Sequence, residues 1–327
     1  MKDQAGAPLI ISASRRTDIP NHYAAWFMQR IRERSVLVRN VRDFHQIQKV
    51  DLSPEAVACI VFWTKNPAPL IPYLNELSAY PYYFLYTINA YGQDIEPKSP
   101  PMGESIDRFR KLADTLGPDR MIWRYDPILI NKSYPMGYHV ESYSYLARKL
   151  GGYTGQCIIS FLDVYKNTIA HAETLNPLPF SDVDRRRLVA NIVSQASINK
   201  IVVKTCAEAI DLSGLGVEHG SCIDAQLVER LSGIHMGSLQ QKNQRPYCRC
   251  AASLDIGMYN TCLNMCLYCY ANYAERQVHG NYAQARSTSP LQIGVLGKGD
   301  VVTERLRPHG PAQLSLFGND GEQEPQA

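Results

Sequence analysis

Three cysteines near the end of the chain are the residues most suited to chemistry. Cys262, Cys266 and Cys269 form a Cys-x3-Cys-x2-Cys pattern, which is tight enough for all three sulfurs to bind one small inorganic group. Thiolates bind soft metal centres, and short cysteine runs are typical ligands of iron–sulfur clusters. Because a cubane cluster has one more iron than this run has thiolates, one iron would stay open. An open metal position usually marks chemistry rather than scaffolding, so the pattern predicts a reactive cluster.

Two simpler interpretations of the same cysteines remain open. The run could belong to a zinc knuckle completed by a distant cysteine, or the three thiols could simply be buried. Zinc sites favour paired Cys-x2-Cys units, and this run contains a single such pair. The iron–sulfur interpretation is therefore favoured.

The residues around these cysteines resemble the signature loop of radical S-adenosylmethionine enzymes. An aromatic residue, Tyr268, precedes the third cysteine, and residues 268–271 (Tyr-Cys-Tyr-Ala) look most like the subgroup that includes spore photoproduct lyase. In that superfamily three cysteines hold a [4Fe–4S] cluster, and the methionyl amino and carboxylate groups of S-adenosylmethionine chelate the fourth iron. The resemblance implies that an electron from the cluster cleaves this cofactor to a 5′-deoxyadenosyl radical, which abstracts hydrogen from a substrate.

Four earlier segments carry a second resemblance to the lyase-like radical enzymes. They read Ser-x2-Thr-Asp, Thr-Lys-x-Pro, Thr-x3-Tyr-x3-Ile-Glu-Pro and Asp-Pro-Ile, and they occupy residues 14–18, 64–67, 87–97 and 126–128. In those enzymes such segments follow the cysteine loop, whereas here they precede it. The simplest account is circular permutation, which proteins tolerate because their termini usually lie at the surface and often close together.

Apolar runs followed by helical patterns determine the expected fold. The predicted strands are residues 9–14, 58–63, 82–89, 120–125, 156–162 and 201–206. Strand-then-helix units repeating about every 30–40 residues indicate parallel βα units. A seventh strand, at residues 253–259, should lie beside the first strand. The sequence therefore predicts an α/β fold: a full or partial (β/α) TIM-like barrel, circularly permuted, with a Cys-rich C-terminal region.

Polar side chains gather where these strands end, which is the usual lining of an α/β active site. By position and resemblance, the expected cofactor-binding residues are Arg15, Thr17, Asp18, Lys65, Thr87, Asn89, Arg124, Asp126 and Tyr268. The first three would hold the amino-acid end of the cofactor, and the next three its carboxylate or ribose. Arg124 and Asp126 would serve cofactor or substrate. In a simpler interpretation, Asp18 only caps the following helix and the arginines face solvent.

Four more cysteines lie just before the cluster segment, with His219 among them: Cys206, Cys222, Cys248 and Cys250. They are a plausible ligand set for a second [4Fe–4S] cluster or for a structural zinc ion. Alternatively, some of them are only packed in the core, since cysteine without a disulfide is among the most buried residue types. Cys59 and Cys157 lie inside apolar strands and are expected to be core residues.

Length and composition suit one large α/β domain or a domain with a small appendage. The chain has 327 residues, of which 45% are hydrophobic and 20% charged. We expect residues 1–205 to form the βα units, residues 206–275 to complete the barrel with the cluster strand, and residues 276–327 to form a partly disordered extension. Within that extension, residues 290–294, 300–302 and 313–317 are expected to dock on the barrel rather than to catalyse.

Charge and targeting patterns exclude several classes of partner. The net charge of +3, without a Lys/Arg block, does not support nucleic acid, which stays possible only through the analogy with photoproduct lyase. No run of about 18 apolar residues predicts a membrane span. The start of the chain lacks the layout of a signal peptide, and nine cysteines favour metal ligation over disulfides in a cytoplasmic protein.

The sequence thus predicts a radical S-adenosylmethionine enzyme of unknown substrate, supplied with electrons by a reductant such as flavodoxin or ferredoxin. The alternative is an iron–sulfur or zinc protein without radical chemistry, acting in electron transfer or binding. That alternative requires the three cysteines to find a fourth ligand, most plausibly Cys250 or Cys248. Residues 11–317 also resemble a bacterial family known only as a domain of unknown function.

Overall fold

Two sheets form the framework of the protein. The computed structural model describes residues 7–163, 166–236 and 246–305. Within these residues, eight parallel strands form one sheet in the order β10-β1-β4-β5-β6-β7-β8-β9, and three strands form a second in the order β11-β3-β2. The strands are β1 (Leu9–Ala13), β2 (Ser35–Arg39), β3 (Gln46–Asp51), β4 (Val57–Thr64), β5 (Tyr82–Thr87), β6 (Met121–Ile128), β7 (Gln156–Phe161), β8 (Val202–Thr205), β9 (Glu218–His219), β10 (Leu254–Asp255) and β11 (Val301–Glu304).

Helices connect the strands and cover the large sheet. They are α1 (Ile19–His22), α2 (Ala24–Arg32), α3 (Met102–Leu116), α4 (Met136–Leu150), α5 (Ala172–Leu175), α6 (Asp182–Ile198), α7 (Ala225–Ser232) and α8 (Glu275–Ala283). The longer ones are amphipathic. Helix α3, for example, buries Ile106, Phe109 and Leu112 at helical spacing and leaves its charged residues outside.

The large sheet is buried on both faces, which explains its nearly continuous apolar strands. On one face, aromatic side chains from the strands and from α2, α3 and α4 pack together with aliphatic side chains of α6. Phe62 stacks on Phe84 with ring centroids 4.9 Å apart, and Trp123 stacks on Tyr143 at 4.7 Å. On the other face, α7 and residues 250–251 pack on the alternate side chains of β1, β4 and β5.

The six strands expected before Cys206 are confirmed, and so is the seventh. Strand β10 pairs in parallel with β1, with Ile11 opposite Leu254. The predicted alternative of a full, closed barrel is wrong, however. In the described residues β9 and β10 each pair with a single neighbouring strand, so the sheet is open. Closing a barrel requires its edge strands to pair with each other, and these two strands have only two residues each.

The small sheet was not expected, and it explains where the C-terminal residues go. The Leu37 amide donates to the Pro290 carbonyl (3.0 Å), and β11 adds to β3 in parallel. Residues 290–294 and 300–302 do dock on the folded chain, but they pair with the β2–β3 hairpin rather than with the sheet of the expected barrel. Residues 313–317 and the acidic C-terminal end lie outside the described residues. Among the helices of the described ranges, none has the length and apolar character needed to cross a membrane.

Candidate active site at the carboxyl edge of the sheet

A cavity of about 710 Å³ opens where the parallel strands end. Its volume lies in the range of small-molecule sites. Fifteen of the sixteen residues predicted from the sequence line it: Arg15, Thr17, Asp18, Lys65, Thr87, Arg124, Asp126, Cys206, Cys222, Cys248, Cys250, Cys262, Cys266, Tyr268 and Cys269. The exception is Asn89. Because every strand of this sheet is parallel, all their carboxyl ends lie at one edge, and residues far apart in sequence converge there.

The cysteine loop, residues 260–272, is closed by its own polar groups. The Asn260 amide donates to the Ala271 carbonyl (2.9 Å), and the Asn272 side chain donates to the Cys262 carbonyl (2.8 Å). These bonds fix both ends of the loop without a helix or strand inside it. Cys262 is buried, Cys266 and Cys269 are half-buried, and the three thiols are close enough to act electrostatically on one another.

Neighbouring loops hold this cysteine loop against the sheet. The Asn264 side-chain amide donates to Asp18 (2.9 Å), and the Leu267 amide donates to the Ile95 carbonyl (3.0 Å). The first bond reaches the loop after β1, and the second reaches the loop after β5. The cysteines are therefore positioned by the same strand ends that carry the polar residues.

Asp18 caps a helix, as the simpler interpretation held, but it does more. One carboxylate oxygen accepts from the Asn21 amide at the start of α1 (3.0 Å). The other accepts from the Lys65 backbone amide (2.8 Å) and from the Asn264 side chain (2.9 Å). Since these donors already occupy both oxygens, Asp18 joins three loops around the cavity and is a positioning residue.

A buried network centred on Glu96 lies beside the cysteine loop. The Glu96 carboxylate accepts from Lys65 Nζ (2.8 Å), from the Asn89 side chain (2.9 Å) and from the Tyr268 hydroxyl (2.5 Å). Asn89 also exchanges hydrogen bonds with the backbone of Asp126, at 2.9 and 3.0 Å. This explains why Asn89 lies behind the cavity wall: it orients residues that do face the cavity.

The electrostatic interactions within this network keep Lys65 and Glu96 charged. Burial alone would lower the pKa of Lys65, but Glu96 and Cys266 outweigh burial and raise it. Burial alone would raise the pKa of Glu96, but Lys65 and the hydrogen bonds outweigh burial and lower it. The pair is therefore ionised at neutral pH. The ammonium of Lys65 also lies 5.8 Å from the centre of the Tyr268 ring, where a cation is attracted to the aromatic face.

A second charged pair, Arg124 and Asp126, lies on β6 facing the cavity. The two side chains form an ion pair, Ser160 donates to the Asp126 carboxylate, and the Arg124 guanidinium lies 4.8 Å from the centre of the Trp63 ring. Within the part of the chain that the structure describes, the buried atoms Thr17 Oγ1, Trp63 Nε1 and Arg124 Nε of cavity-lining residues have no hydrogen-bond partner. An unmet buried donor costs about 1–3 kcal/mol, so such atoms are typical of a site completed by a ligand.

Asp255 is the important residue that sequence reasoning missed. Its carboxylate accepts from the Ser12 hydroxyl (3.0 Å), the Arg15 amide (2.7 Å) and the Gly257 amide (3.0 Å), and also from the Ser14 hydroxyl. It therefore attaches β10 to the end of β1. The signal available in the sequence was an acidic residue inside the predicted seventh strand, but its partners lie about 240 residues away.

The thiols of the cysteine loop need a cation to become thiolates. Burial raises the pKa of Cys262 and Cys269, and it raises that of Cys266 to about 12 even though Lys65 lies nearby. Metal binding supplies the missing positive charge because ligating cysteines bind as thiolates. Three such thiols on one closed loop, facing a cavity, are a donor set that fits a cluster with one open iron.

A single metal ion is a poorer fit to the cysteine loop. As their side chains stand, Cys262, Cys266 and Cys269 do not form a ligand set for one ion. An iron–sulfur cluster requires a wider spacing of the cysteine sulfurs, because each thiolate binds its own iron.

One comparison with known proteins gives a family. A family model described as "Domain of unknown function (DUF1848)" matches residues 10–271, which is most of the chain. The chain belongs to the DUF1848 family. No curated protein and no solved structure matches it. Membership in DUF1848 confirms the resemblance to a domain of unknown function, and because that description gives no activity, the function has to be inferred from the site.

Proposed function

We propose that the protein is a radical S-adenosylmethionine enzyme. The observation that carries this proposal is the convergence of the Cys-x3-Cys-x2-Cys loop with polar side chains from several strand ends at one cavity. When bound by Cys262, Cys266 and Cys269, a [4Fe–4S] cluster would supply an open iron for the cofactor and the electron that cleaves it. The substrate is not specified by these residues.

We also propose that the domain is circularly permuted, and the position of β10 supports this. The cysteine loop follows a strand that pairs with β1, just as it would follow the first strand of an unpermuted domain. The four loop segments then come in the expected spatial order, because β1, β4, β5 and β6 are successive neighbours. We infer that the open sheet corresponds to a partial barrel whose first strand, β10, comes last in the chain.

The residues around the cavity have distinct roles in this proposal. Asp18 and Glu96 hold the cysteine loop and orient Lys65 and Tyr268 beside it. Arg124, with an unmet buried Nε, and Thr17, with an unmet hydroxyl, are suited to bind the polar groups of a cofactor or substrate.

The alternative, a closed four-cysteine site without radical chemistry, is less well supported. It requires Cys250 or Cys248 as a fourth ligand for the loop. Instead, Cys250 hydrogen-bonds with Cys222 and Cys248, so both candidate ligands belong to another group of sulfurs. That arrangement supports the proposal of an open position at the cysteine loop.

Cleavage of S-adenosylmethionine tests the proposal most directly. The full chain is purified and reconstituted without oxygen, reduced with dithionite and supplied with the cofactor, and 5′-deoxyadenosine and methionine are measured by chromatography. We expect slow formation of both products even without the true substrate. Roughly four irons and four sulfides per loop site are expected as well.

Two variants separate the loop from a general effect of losing a thiol. Cys266→Ala should remove the cluster and abolish cleavage. Cys59→Ala removes a buried thiol inside β4, away from the cavity, and should keep both. Absence of 5′-deoxyadenosine from a fully loaded, reduced sample, or equal yields from Cys266→Ala, would disprove the proposed function.

A further inference from the structure

Four cysteines outside the cysteine loop come together from segments next to both edge strands of the large sheet, β9 and β10. Cys206 follows β8, Cys222 follows β9, and Cys248 and Cys250 precede β10. The Sγ atoms of Cys206 and Cys222 are 3.2 Å apart. Cys250 hydrogen-bonds with both Cys222 and Cys248, and Cys248 is close enough to Cys206 for their charges to interact. Contacts therefore link the four sulfurs in the order Cys206, Cys222, Cys250 and Cys248, and this four-cysteine group is built from three separate segments.

Ordinary core packing does not fully explain the four-cysteine group. Cys59 and Cys157 show what a packed cysteine looks like here, since each is a single thiol inside a strand whose neighbours are apolar or aromatic groups. Cys206, Cys222 and Cys250 share the buried cluster of Cys59, but they also contact another cysteine, and all four residues of the group line the cavity. Grouping four soft donors at one place is the usual arrangement for a thiophilic metal.

We propose that Cys206, Cys222, Cys248 and Cys250 bind one zinc ion as a structural tetrathiolate site. Zinc–sulfur bonds of about 2.3 Å place the sulfurs of a tetrahedral site roughly 3.8 Å apart. The contact between Cys206 and Cys222 is shorter than that, so the sulfurs have to spread by roughly half an ångström to admit the ion. As they stand, no three of these four thiols form a ligand set for one ion, so zinc would bind only with such a rearrangement.

Sulfur spacing selects zinc over a second iron–sulfur cluster. In a cubane cluster each thiolate binds its own iron, so its four sulfurs stand farther apart than four ligands of one ion. The sulfurs of Cys206 and Cys222, which are 3.2 Å apart, would need a much larger rearrangement to bind two irons of a cluster than to bind one ion. Because three of the four cysteines, all except Cys248, are buried within the packed face of the sheet, the small rearrangement is favoured.

The surroundings can balance the charge of the site. Four thiolates and one zinc ion carry a net charge of −2. The guanidinium of Arg15 is near enough to Cys250, and that of Arg124 near enough to Cys222, to act on their charges. Both arginines line the same cavity. Buried charges are tolerated when they are paired in this way.

An ion at this position would fix one wall of the cavity. The segments that carry the cysteines already contact each other, since the Ala251 amide donates to the Ile223 carbonyl (2.9 Å) and the Ser221 hydroxyl donates to the Arg249 carbonyl (2.7 Å). Zinc would hold the loops after β8 and β9 to the segment entering β10. That strand in turn carries the cysteine loop, so the ion would support the loop without taking part in its chemistry.

Metal analysis of the full chain tests this site independently of the proposed function. The protein is produced with added zinc and iron and purified without oxygen, and both metals are measured by mass spectrometry. We expect about one zinc per chain, and X-ray absorption at the zinc edge should show four sulfur ligands at about 2.3 Å. Cys266→Ala should lose iron and keep zinc, which separates the two sites.

The matched variants show which cysteines hold the zinc. The double variant Cys222→Ser, Cys250→Ser should lower the zinc content at least tenfold and leave the iron of the cysteine loop in place, whereas Cys157→Ser should keep both metals. Zinc-free wild-type protein would overturn the proposal. So would iron and sulfide lost only in the double variant, or a zinc signal with fewer than four sulfurs. The absorption measurement uses wild-type protein, so it decides the matter even if the double variant does not fold.

Discussion

Among single residues, Glu96 makes the contacts on which the cysteine loop most depends. It is the shared acceptor for Lys65, Asn89 and Tyr268, which come from two strand ends and from the loop itself. Its side chain is 5% exposed, and that of Lys65 is 11% exposed. Removing the charge of one partner from a buried pair leaves the other charge uncompensated, which is costly.

We predict that Glu96→Gln destabilises the protein by about 3 kcal/mol or more, because it leaves the Lys65 ammonium buried without a counter-charge. Urea unfolding of the variant and the wild type, at matched metal content, measures the difference. Glu76→Gln is the matched control: it breaks an exposed pair with Arg32 (2.8 Å) and should change stability little. Equal urea midpoints for Glu96→Gln and the wild type would show that the network contributes nothing.

The same pair determines how this difference should depend on pH. Folding lowers the pKa of Glu96 below its usual 4.5. A carboxylate of this kind contributes stability above its unfolded-state pKa, and the contribution is lost as the pH falls through the lower folded-state pKa. The gap between wild type and Glu96→Gln should therefore be full at neutral pH and narrow once the pH falls below 4.5. Unfolding curves across that range measure it.

At the scale of elements, the contact between β10 and β1 determines where the cysteine loop lies. Strand β10 has only two residues, so its position depends on Asp255 and on the close approach of Gly257 to the β1 loop. A Cβ atom on Gly257 would lie 2.3 Å from Ser14 Oγ, 2.6 Å from Ser14 Cβ and 2.9 Å from Thr17 Cγ2. No side chain fits there unless the two segments separate.

We predict that Gly257→Ala moves the cysteine loop away from the strand ends. Overpacking of this kind costs about 1–3 kcal/mol, and the content of bound iron should fall with it. Gly103→Ala is the control, since a Cβ there meets nothing within 4 Å and alanine favours the interior of α3. Thermal unfolding and iron analysis measure both effects. Unchanged iron content in Gly257→Ala would mean that the close approach does not position the loop.

Strands and loops could be predicted where the types of their residues are sufficient to identify them. The six apolar strands are visible in the sequence because burial requires apolar residues, and the cysteine loop is visible because its proposed metal binding requires closely spaced cysteines. The two-residue strands β9 and β10 are too short to leave a pattern of their own, and only the motif order indicated where β10 lies. The pairing of Glu96 with Lys65 and the role of Asp255 depend on which loops meet, which local sequence does not encode.

For the whole molecule, parallel strands explain why so many predicted site residues meet. One common edge collects the loop after every strand, so a list of polar residues at strand ends becomes a list of cavity residues. Whether the sheet closes into a barrel could not be predicted, because closure depends on the two edge strands, and these have only two residues each. The small sheet was missed for another reason: its third strand, β11, comes from the C-terminal region, more than 200 residues after the hairpin it joins.

The C-terminal segment supports the whole molecule without entering the site, and Asp300 tests this. Its buried carboxylate accepts from Arg39 Nη1 (3.0 Å) and Nη2 (2.7 Å), and the Arg39 guanidinium lowers its pKa. Asp300→Ala should lower the melting temperature because it leaves Arg39 buried without its partner. Cleavage per bound cluster should not change, since no residue after 272 lines the cavity among those described. Glu304→Gln, which breaks the exposed pair with Lys49, should alter neither quantity. A roughly tenfold loss of 5′-deoxyadenosine from Asp300→Ala at unchanged iron content would place this segment in the chemistry instead.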